Sequence, residues 1–223
     1  HSFGLSYHTD RLYRSMRLLG IRPVTAPDEF TEIVEVVVEE SEIEEGYVKI
    51  IVTRGSDDHN FTIPARSALQ PNVLVYGKPI DLNAIEKVQS GVNCITLDDD
   101  RGHHCDILSL NQLNNMMARA EAQKKNCYDA VFIKDGLLTE ASHSNVCIVK
   151  AGVIWTPATN EHMIRGVTRS LVLTRVAPSA GVTSIDESSE PVRFEDMMTA
   201  EEVFLTNSQD GIIPVLSIDG NPI

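Results

Sequence analysis

The chain opens with apolar positions at helical spacing. "HTDRLYRSMRLLGI" places Leu12, Met16 and Leu19 on one face of a predicted helix. A second helix is predicted from "TAPDEF", where Thr25 and Asp28 have cap spacing and Pro27 sits in the first turn. Phe30, Ile33, Val34, Val37 and Val38 form its apolar stripe. The period then changes to two. "YVKIIVTRG" alternates and stops at Gly55, and "NVLVYG" reads as a second, buried type of strand. Residues 1–82 are therefore expected to form a small α/β domain.

The pattern continues through a larger domain expected over residues 83–223. "GVNCITL" reads as a strand, followed by the polar turn "DDDRG" and a short strand-like run containing Ile107 and Leu108. "SLNQLNNMMARAEAQKKN" is predicted to be a helix with Leu110, Leu113, Met117 and Ala120 on its apolar side. Asp135-Gly136 separates "DAVFI" from "LLTE", the strongest short hairpin signal a sequence offers. Ala151-Gly152 divides "NVCIV" from "VIWTP" in the same way. "RGVTRSLVLTRVA" is a predicted helix, and "EEVFLTNS" a strand entering a polar turn. Strands and helices alternate along the whole chain, so the class is α/β or α+β.

Composition narrows the partners. A net charge of −13 over 223 residues argues against nucleic acid and anionic membrane surfaces. Much of the acid lies in "EVVVEESEIEEG", which reads as a solvated helix face. No run approaches the ~18 apolar residues of a membrane span, and the N-terminus lacks the pattern of a secretory signal. Cys94, Cys105, Cys127 and Cys147 are widely and irregularly spaced, which suits reduced thiols in a cytoplasmic protein.

Several stretches carry potential chemistry. His103, His104, Cys105 and Asp106 are four metal-ligand types in a row. Adjacent strand residues point to opposite faces and no second ligand pair stands out, so no metal is expected. "IRGVTRS" sets Gly166 before a helix start, where the amides of Val167 and Thr168 would attract an anion. "LTNSQDG" offers Asn207, Ser208 and turn amides of the kind that also cradle phosphate. Taken alone, each reads first as an ordinary cap or turn, and spacing alone does not show that they meet. Glu140, in "LLTEASHSN", is either an exposed carboxylate or one that pairs with a cationic ring nitrogen or acts as an acid or base.

Taken together, "LTEASHSNVCIVKAGVIWTP", "MIRGVTRSLV", "VFLTNSQDGIIPVLSIDGNPI" and "HTDRLYRSMRLLGI" resemble the class IV, fold-type IV pyridoxal-phosphate enzymes. That superfamily includes D-amino-acid and branched-chain aminotransferases and aminodeoxychorismate lyase, and "CDILSLN" resembles the D-amino-acid branch most. The resemblance implies a small N-terminal α/β domain, shortened relative to the family, and a larger pseudo-barrel domain. It also implies a cytoplasmic homodimer, pyridoxal 5′-phosphate as cofactor, and amino acids or 2-oxo acids as substrates. By the same resemblance, Arg11 contacts the cofactor phosphate, and Val167 and Thr168 bind it through backbone amides. Asn207 and Ser208 make the second phosphate turn, Ile164 packs against the ring, and Glu140 holds the ring nitrogen protonated, which makes the ring an electron sink.

Leu108 stands where the family pattern, similar to "CDIKSLN", carries its catalytic lysine. Leucine has no nitrogen to bond the cofactor and no proton to move, and losing acid–base help typically costs ~10²–10⁴ in rate. Any bound cofactor would then be held without a covalent bond. The substrate-carboxylate site of the D-amino-acid branch is matched here only by His59, in "TRGSDDHNF", while Arg54 is expected to serve the scaffold. Three accounts stay open: an aminotransferase with its lysine replaced, a lysine-less binder of pyridoxal phosphate or another phospho-ligand, and a relative of the lyase type or one using other groups.

Overall fold

The computed structural model describes residues 2–56, 69–185 and 191–223. The chain divides into two compact units, His1–Asp81 and Leu82–Ile223.

In the first unit, helix α1 (Leu5–Leu18) and helix α2 (Pro27–Glu40) pack with an antiparallel pair, β1 (Gly46–Thr53) and β2 (Asn72–Pro79). Leu5, Phe30 and Val34 form the core, and Val48, Ile50 and Val75 close it from the strands. Tyr13 meets Phe30 edge to face at 5.9 Å. Arg54 donates to the carbonyls of Leu19 (2.6 Å) and Gly20 (3.5 Å), so it closes the C-terminal end of α1 as a scaffold residue.

Three expectations are corrected here. The N-cap of α2 is Ala26, with no side-chain cap, and Thr25 instead donates to the Glu29 carboxylate. Ile33 points outward, because burying Phe30 and Val34 rotates it past the edge of the stripe. The β2 strand is not of a buried type, since within this fold Leu74 and Tyr76 lie on the exposed side of a two-stranded sheet.

The second unit is a nine-stranded mixed sheet. It contains β3 (Val92–Asp98), β4 (Asp129–Lys134), β5 (Leu137–Ala141), β6 (Asn145–Lys150), β7 (Val153–Trp155), β8 (Thr183–Ile185), β9 (Glu202–Asn207), β10 (Gly211–Ile218) and β11 (Asn221–Pro222). Their order is β5-β4-β3-β10-β9-β6-β7-β8, with β11 on β10. The β3–β4, β3–β10 and β7–β8 pairs are parallel and the remainder antiparallel. Helix α3 (Leu82–Gln89), which the sequence pattern did not reveal, leads into β3, and α4 (Leu113–Lys124) joins β3 to β4.

Beyond β7, a continuous helical run is built from α5 (Val167–Leu171), a π-helical segment (Val172–Val176) and α6 (Ala177–Ser179). A short helix, α7 (Phe194–Met198), precedes β9.

Both faces of the sheet are covered, which explains the unbroken apolar reading of "NVCIV". Val146 and Ile148 enter the larger core with Leu205 and Ile213, while Cys147 faces the opposite way against Val172, Leu173 and Ala177. The Asp135-Gly136 and Ala151-Gly152 turns form as expected, with φ of 52° and 77° and of 51° and 70°.

Helix α4 corrects the expected face. It buries Ala118 and Ala122 against Ile95, Ala130 and Phe132, whereas Leu113 and Met117 are exposed and Leu110 lies before the helix. Small alanines let the helix approach the sheet closely, so the bulkier residues are left on the far side.

Candidate functional site

The site is built on the ends of β3, β5 and β9. Just past β3, the amide of Asp99 donates to the Ile133 carbonyl (2.8 Å), and its carboxylate takes Arg101 in a fork, Nε at 2.9 Å and Nη2 at 2.8 Å. Thr139 adds a hydroxyl at 2.8 Å. The Arg101 Nη1 reaches Glu140 Oε1 at 2.5 Å, its Nη2 also donates to the His162 carbonyl at 2.9 Å, and its guanidinium lies 4.2 Å from the Phe132 ring centroid. Arg101 and Glu140 are each only 6% exposed, so the expected alternative of a solvent-facing Glu140 is ruled out.

The other oxygen of Glu140 looks toward the loop before α5. It accepts the Ile164 amide at 2.9 Å and Asn145 Nδ2 at 3.3 Å, and Asn145 also donates to the Ile164 carbonyl at 2.8 Å. Gly166 follows at the N-cap of α5, where a β-carbon would overlap the Asn145 amide oxygen. Glycine is required here by close approach and not by its dihedral angles, since φ is −63°. No side chain caps α5, so its first amides, from Val167 and Thr168, stay directed out of the helix end.

The two stretches expected to attract an anion meet. Thr168 Oγ1 donates to the Asn207 carbonyl at 2.9 Å, which joins the start of α5 to the turn between β9 and β10. Asn207 uses its own side chain to shape that turn. Its Oδ1 accepts the amides of Gln209 (2.9 Å) and Asp210 (2.7 Å), and its Nδ2 donates to Tyr128, Ser144 and Asp210. Ser208 is exposed at the tip. Behind the loop from β5 to β6, the fully buried Asp129 accepts the amides of Ser142 and His143 and the hydroxyls of Ser142 and Ser144.

Charge follows burial. Desolvation pushes the Glu140 carboxyl up to about 7, against the pull of Arg101 and of the Ile164 amide. Burial also works to raise Asp99, but Arg101 and Thr139 overcome it and hold that carboxyl below its ordinary range. Between the two carboxylates, Arg101 is held more firmly charged than a free guanidinium despite its own desolvation.

Leu108 is not on a strand. Residues 99–112 run as an irregular loop from β3 to α4, because Asp99, Arg101 and the backbone turn at Ile107 (amide to the His104 carbonyl, 3.1 Å) take the chain out of the sheet. The loop is held at its start by Arg101 and in its middle by the Cys105 amide on the Glu161 carbonyl (2.9 Å), and Leu108 is 44% exposed. His103 pairs with Glu161 at 3.3 Å, and among the described residues no group of three His, Cys, Asp or Glu side chains is arranged to hold a metal ion.

Arg11 lies on α1 in the first unit, its Nη2 3.4 Å from Nδ1 of His8. Burial, aided by the Arg11 charge, lowers the His8 imidazole to about 4 and keeps it neutral. His59 lies outside the described residues.

The structure thus joins Glu140, Ile164, Val167, Thr168, Asn207 and Ser208 in one unit. Sequence reasoning missed the groups that connect them: Arg101, Asp99, Asn145 and Tyr128. Arg101 was hidden in "DDDRG", which has the composition of a solvated turn, and only the odd cation among three aspartates hinted at a pairing role.

A family model for amino-transferase class IV matches residues 1–218. The D-alanine aminotransferase of Bacillus licheniformis is 35% identical over 221 residues, which cover 99% of this chain and 76% of that protein. The enzyme of the same name from Listeria monocytogenes is 33% identical over 219 residues, 98% of this chain and 74% of its own length. Among solved structures, the branched-chain amino acid aminotransferase of Escherichia coli superposes with a TM-score of 0.84 at 20% identity, covering 98% of this chain and 72% of that one. The branched-chain aminotransferase of Thermoproteus uzoniensis gives 0.83 at 24% identity, with 98% and 73% covered.

Proposed function

The chain belongs to the class IV aminotransferases and has their fold-type IV architecture, and from that premise we propose that it holds pyridoxal phosphate without a covalent bond. Its substrates are amino acid and 2-oxo acid pairs, with D-alanine the first donor to try, and its turnover is slow because position 108 is leucine. The observation that carries this reading is the buried Arg101–Glu140–Asn145 cluster, linked through Ile164 and Gly166 to the α5 terminus and the 207–210 turn.

The residues present fit the cofactor. A carboxylate offers about four acceptor positions, and Arg101, Asn145 and the Ile164 amide take three at Glu140, which leaves capacity for one ring N–H. Two ends of the second unit converge where a phosphate would sit: the α5 amides of Val167 and Thr168, and the hydroxyl and amide of Ser208, the Gln209 and Asp210 amides being taken by Asn207 Oδ1. Arg11 is the proposed cation for that phosphate, Ile164 the apolar contact for the ring, and His59 the partner for the substrate carboxylate. When bound, pyridoxal phosphate supplies an electron-poor ring that takes up charge from the substrate α-carbon.

Glu140 orients that ring and holds a proton at its nitrogen, and Arg101 keeps Glu140 aimed. Leu108 supplies neither the amine that would bond the cofactor nor a base for the α-proton, so the largest side-chain contribution to proton transfer is missing. The apolar strip of Leu110, Leu113, Met116 and Met117, each more than half exposed, suits the proposed cytoplasmic homodimer as a surface for a second copy. Among the described residues no helix is long and apolar enough to cross a membrane.

The test is a tryptic mass map of the protein after equilibration with pyridoxal phosphate and borohydride reduction. The peptide Gly102–Arg119 should appear intact and unmodified, while fluorescence titration of the native protein shows saturable binding of the cofactor. Stoichiometric reduction onto any one lysine would overturn the non-covalent reading. Saturable binding with no turnover of D-alanine and a 2-oxo acid would favour the pure binder, and no binding at all would remove both.

A further inference from the structure

Asp210 poses a problem for a phosphate site. It is a carboxylate in the very turn that offers Ser208 to the anion, it is 7% exposed, and a negative charge there repels a dianion. The structure shows how that charge is restrained. Asp210 Oδ2 accepts the Tyr128 hydroxyl at 2.5 Å and Asn207 Nδ2 at 3.3 Å. Its amide donates to Asn207 Oδ1 at 2.7 Å, and its carbonyl accepts Gln89 Nε2 at 2.9 Å.

Tyr128 is itself fixed. It stands one residue before β4, its amide donates to the Asn93 carbonyl at 2.8 Å, and the Arg119 guanidinium lies 5.0 Å from its ring centroid. Its hydroxyl also accepts Asn207 Nδ2 at 3.1 Å. We propose that Tyr128 is a positioning residue that tethers Asp210, sets the phosphate turn, and keeps the Asp210 charge turned away from a bound phosphate.

The proposal rests on the reading of this turn as part of a phosphate cup. The tether holds Asp210 through Tyr128 and Asn207, and the exposed Ser208 is no part of it. Burial first, then the hydrogen bond to Asp210 and that residue's charge, raise the phenol above its ordinary value, so Tyr128 remains a donor at physiological pH. Tyr128→Phe would keep the ring and its contact with Arg119 but leave the carboxylate with the longer hydrogen bond from Asn207 Nδ2.

The experiment measures binding of pyridoxamine phosphate and of unphosphorylated pyridoxamine to the full chain and to its variants by calorimetry or competition. Tyr128→Phe should weaken pyridoxamine phosphate about tenfold, as the loss of one charge-assisted hydrogen bond together with new repulsion would do, and change pyridoxamine less than about twofold. Adding Asp210→Asn to that variant should restore pyridoxamine phosphate binding to within about threefold, since the amide carries no charge. Asp210→Asn alone keeps an acceptor for Tyr128 and should bind pyridoxamine phosphate at least as tightly as the unmodified chain. It carries the test if Tyr128→Phe does not fold.

Equal losses for both ligands, no loss for either, or weaker binding by Asp210→Asn would overturn the tether. Failure of the unmodified chain to bind pyridoxamine phosphate would instead overturn the cup on which it rests.

Discussion

The Glu140 cluster and the loop that carries Leu108 share Asp99 and Arg101 at the start of the loop and differ in almost everything else. In the cluster, Asp99, Arg101, Glu140 and Asn145 are all less than a tenth exposed, and each polar group is matched by another. Beyond Arg101 in the loop, Leu108 is 44% exposed, and its surroundings are tied by the Cys105 and Ile107 amides and the exposed His103–Glu161 pair. Buried charges are costly to leave unpaired, so folding itself constrains the cluster. A half-exposed loop position contributes little to stability, so folding permits leucine or lysine there alike. The difference teaches that burial, with the pairing it enforces, fixes the residues of the cluster, whereas folding places no such demand on position 108.

The sharpest way to break the comparison is to change the unconstrained position. Leu108→Lys should leave the unfolding midpoint almost unmoved, within about 0.5 kcal/mol for a surface substitution. It should nevertheless raise turnover of D-alanine with a 2-oxo acid by about 10²–10⁴, the usual worth of a positioned acid–base group. After borohydride reduction the new lysine should carry the cofactor, which a mass map reads directly. A variant that folds and binds pyridoxal phosphate yet gains neither adduct nor rate would show that residue 108 does not face the cofactor.

Changing the constrained region should produce the opposite signature. Arg101→Met removes the shared cation and leaves Asp99 and Glu140 buried without it, a loss of about 3–5 kcal/mol in urea unfolding. Cofactor affinity should fall with it, because Glu140 loses the group that aims it. Arg101→Lys should recover only part of the stability, since a single ammonium does not reproduce the fork on Asp99 while also reaching Glu140 and the His162 carbonyl. If Arg101→Met unfolds at the same urea concentration as the unmodified chain, the cluster is not the constraint that its burial implies.

How much of this was legible beforehand follows the same division. Hairpin turns were readable because Asp135-Gly136 and Ala151-Gly152 need left-handed backbone, a local demand that a dipeptide declares. Glu140, Val167 and Thr168 were readable as candidates because glycine, helix start and carboxylate sit in recurring local patterns. Their meeting was not, since it depends on Thr168 reaching a carbonyl 39 positions away. Arg101 was invisible for a related reason: "DDDRG" has the composition of a surface turn, and only the tertiary fold buries it against Phe132. The exposed face of α4 was misread because helical periodicity identifies an apolar side without saying which neighbour receives it, and here the sheet accepts alanines.

The smallest expected effect concerns the proton on Glu140. Its ordinary value is 4.5 and burial raises it to about 7 in the folded chain. Between those values the folded state holds a proton that the unfolded state releases, so stability is greatest below pH 4.5 and declines as pH rises through 7. Holding that proton so much more tightly, net of the opposing pull of Arg101, is worth on the order of 3 kcal/mol in full. Glu140→Gln keeps the shape and most of the hydrogen bonding but cannot titrate. The difference in unfolding free energy between the unmodified chain and this variant should therefore move against the unmodified chain from about pH 5 to about pH 7.5, and stay flat above about pH 8. A difference that is flat across the whole range would mean that Arg101 and the Ile164 amide already hold Glu140 ionised at the acid end. In that case the pairing outweighs desolvation, and the cluster is bound together more by its charges than by its burial.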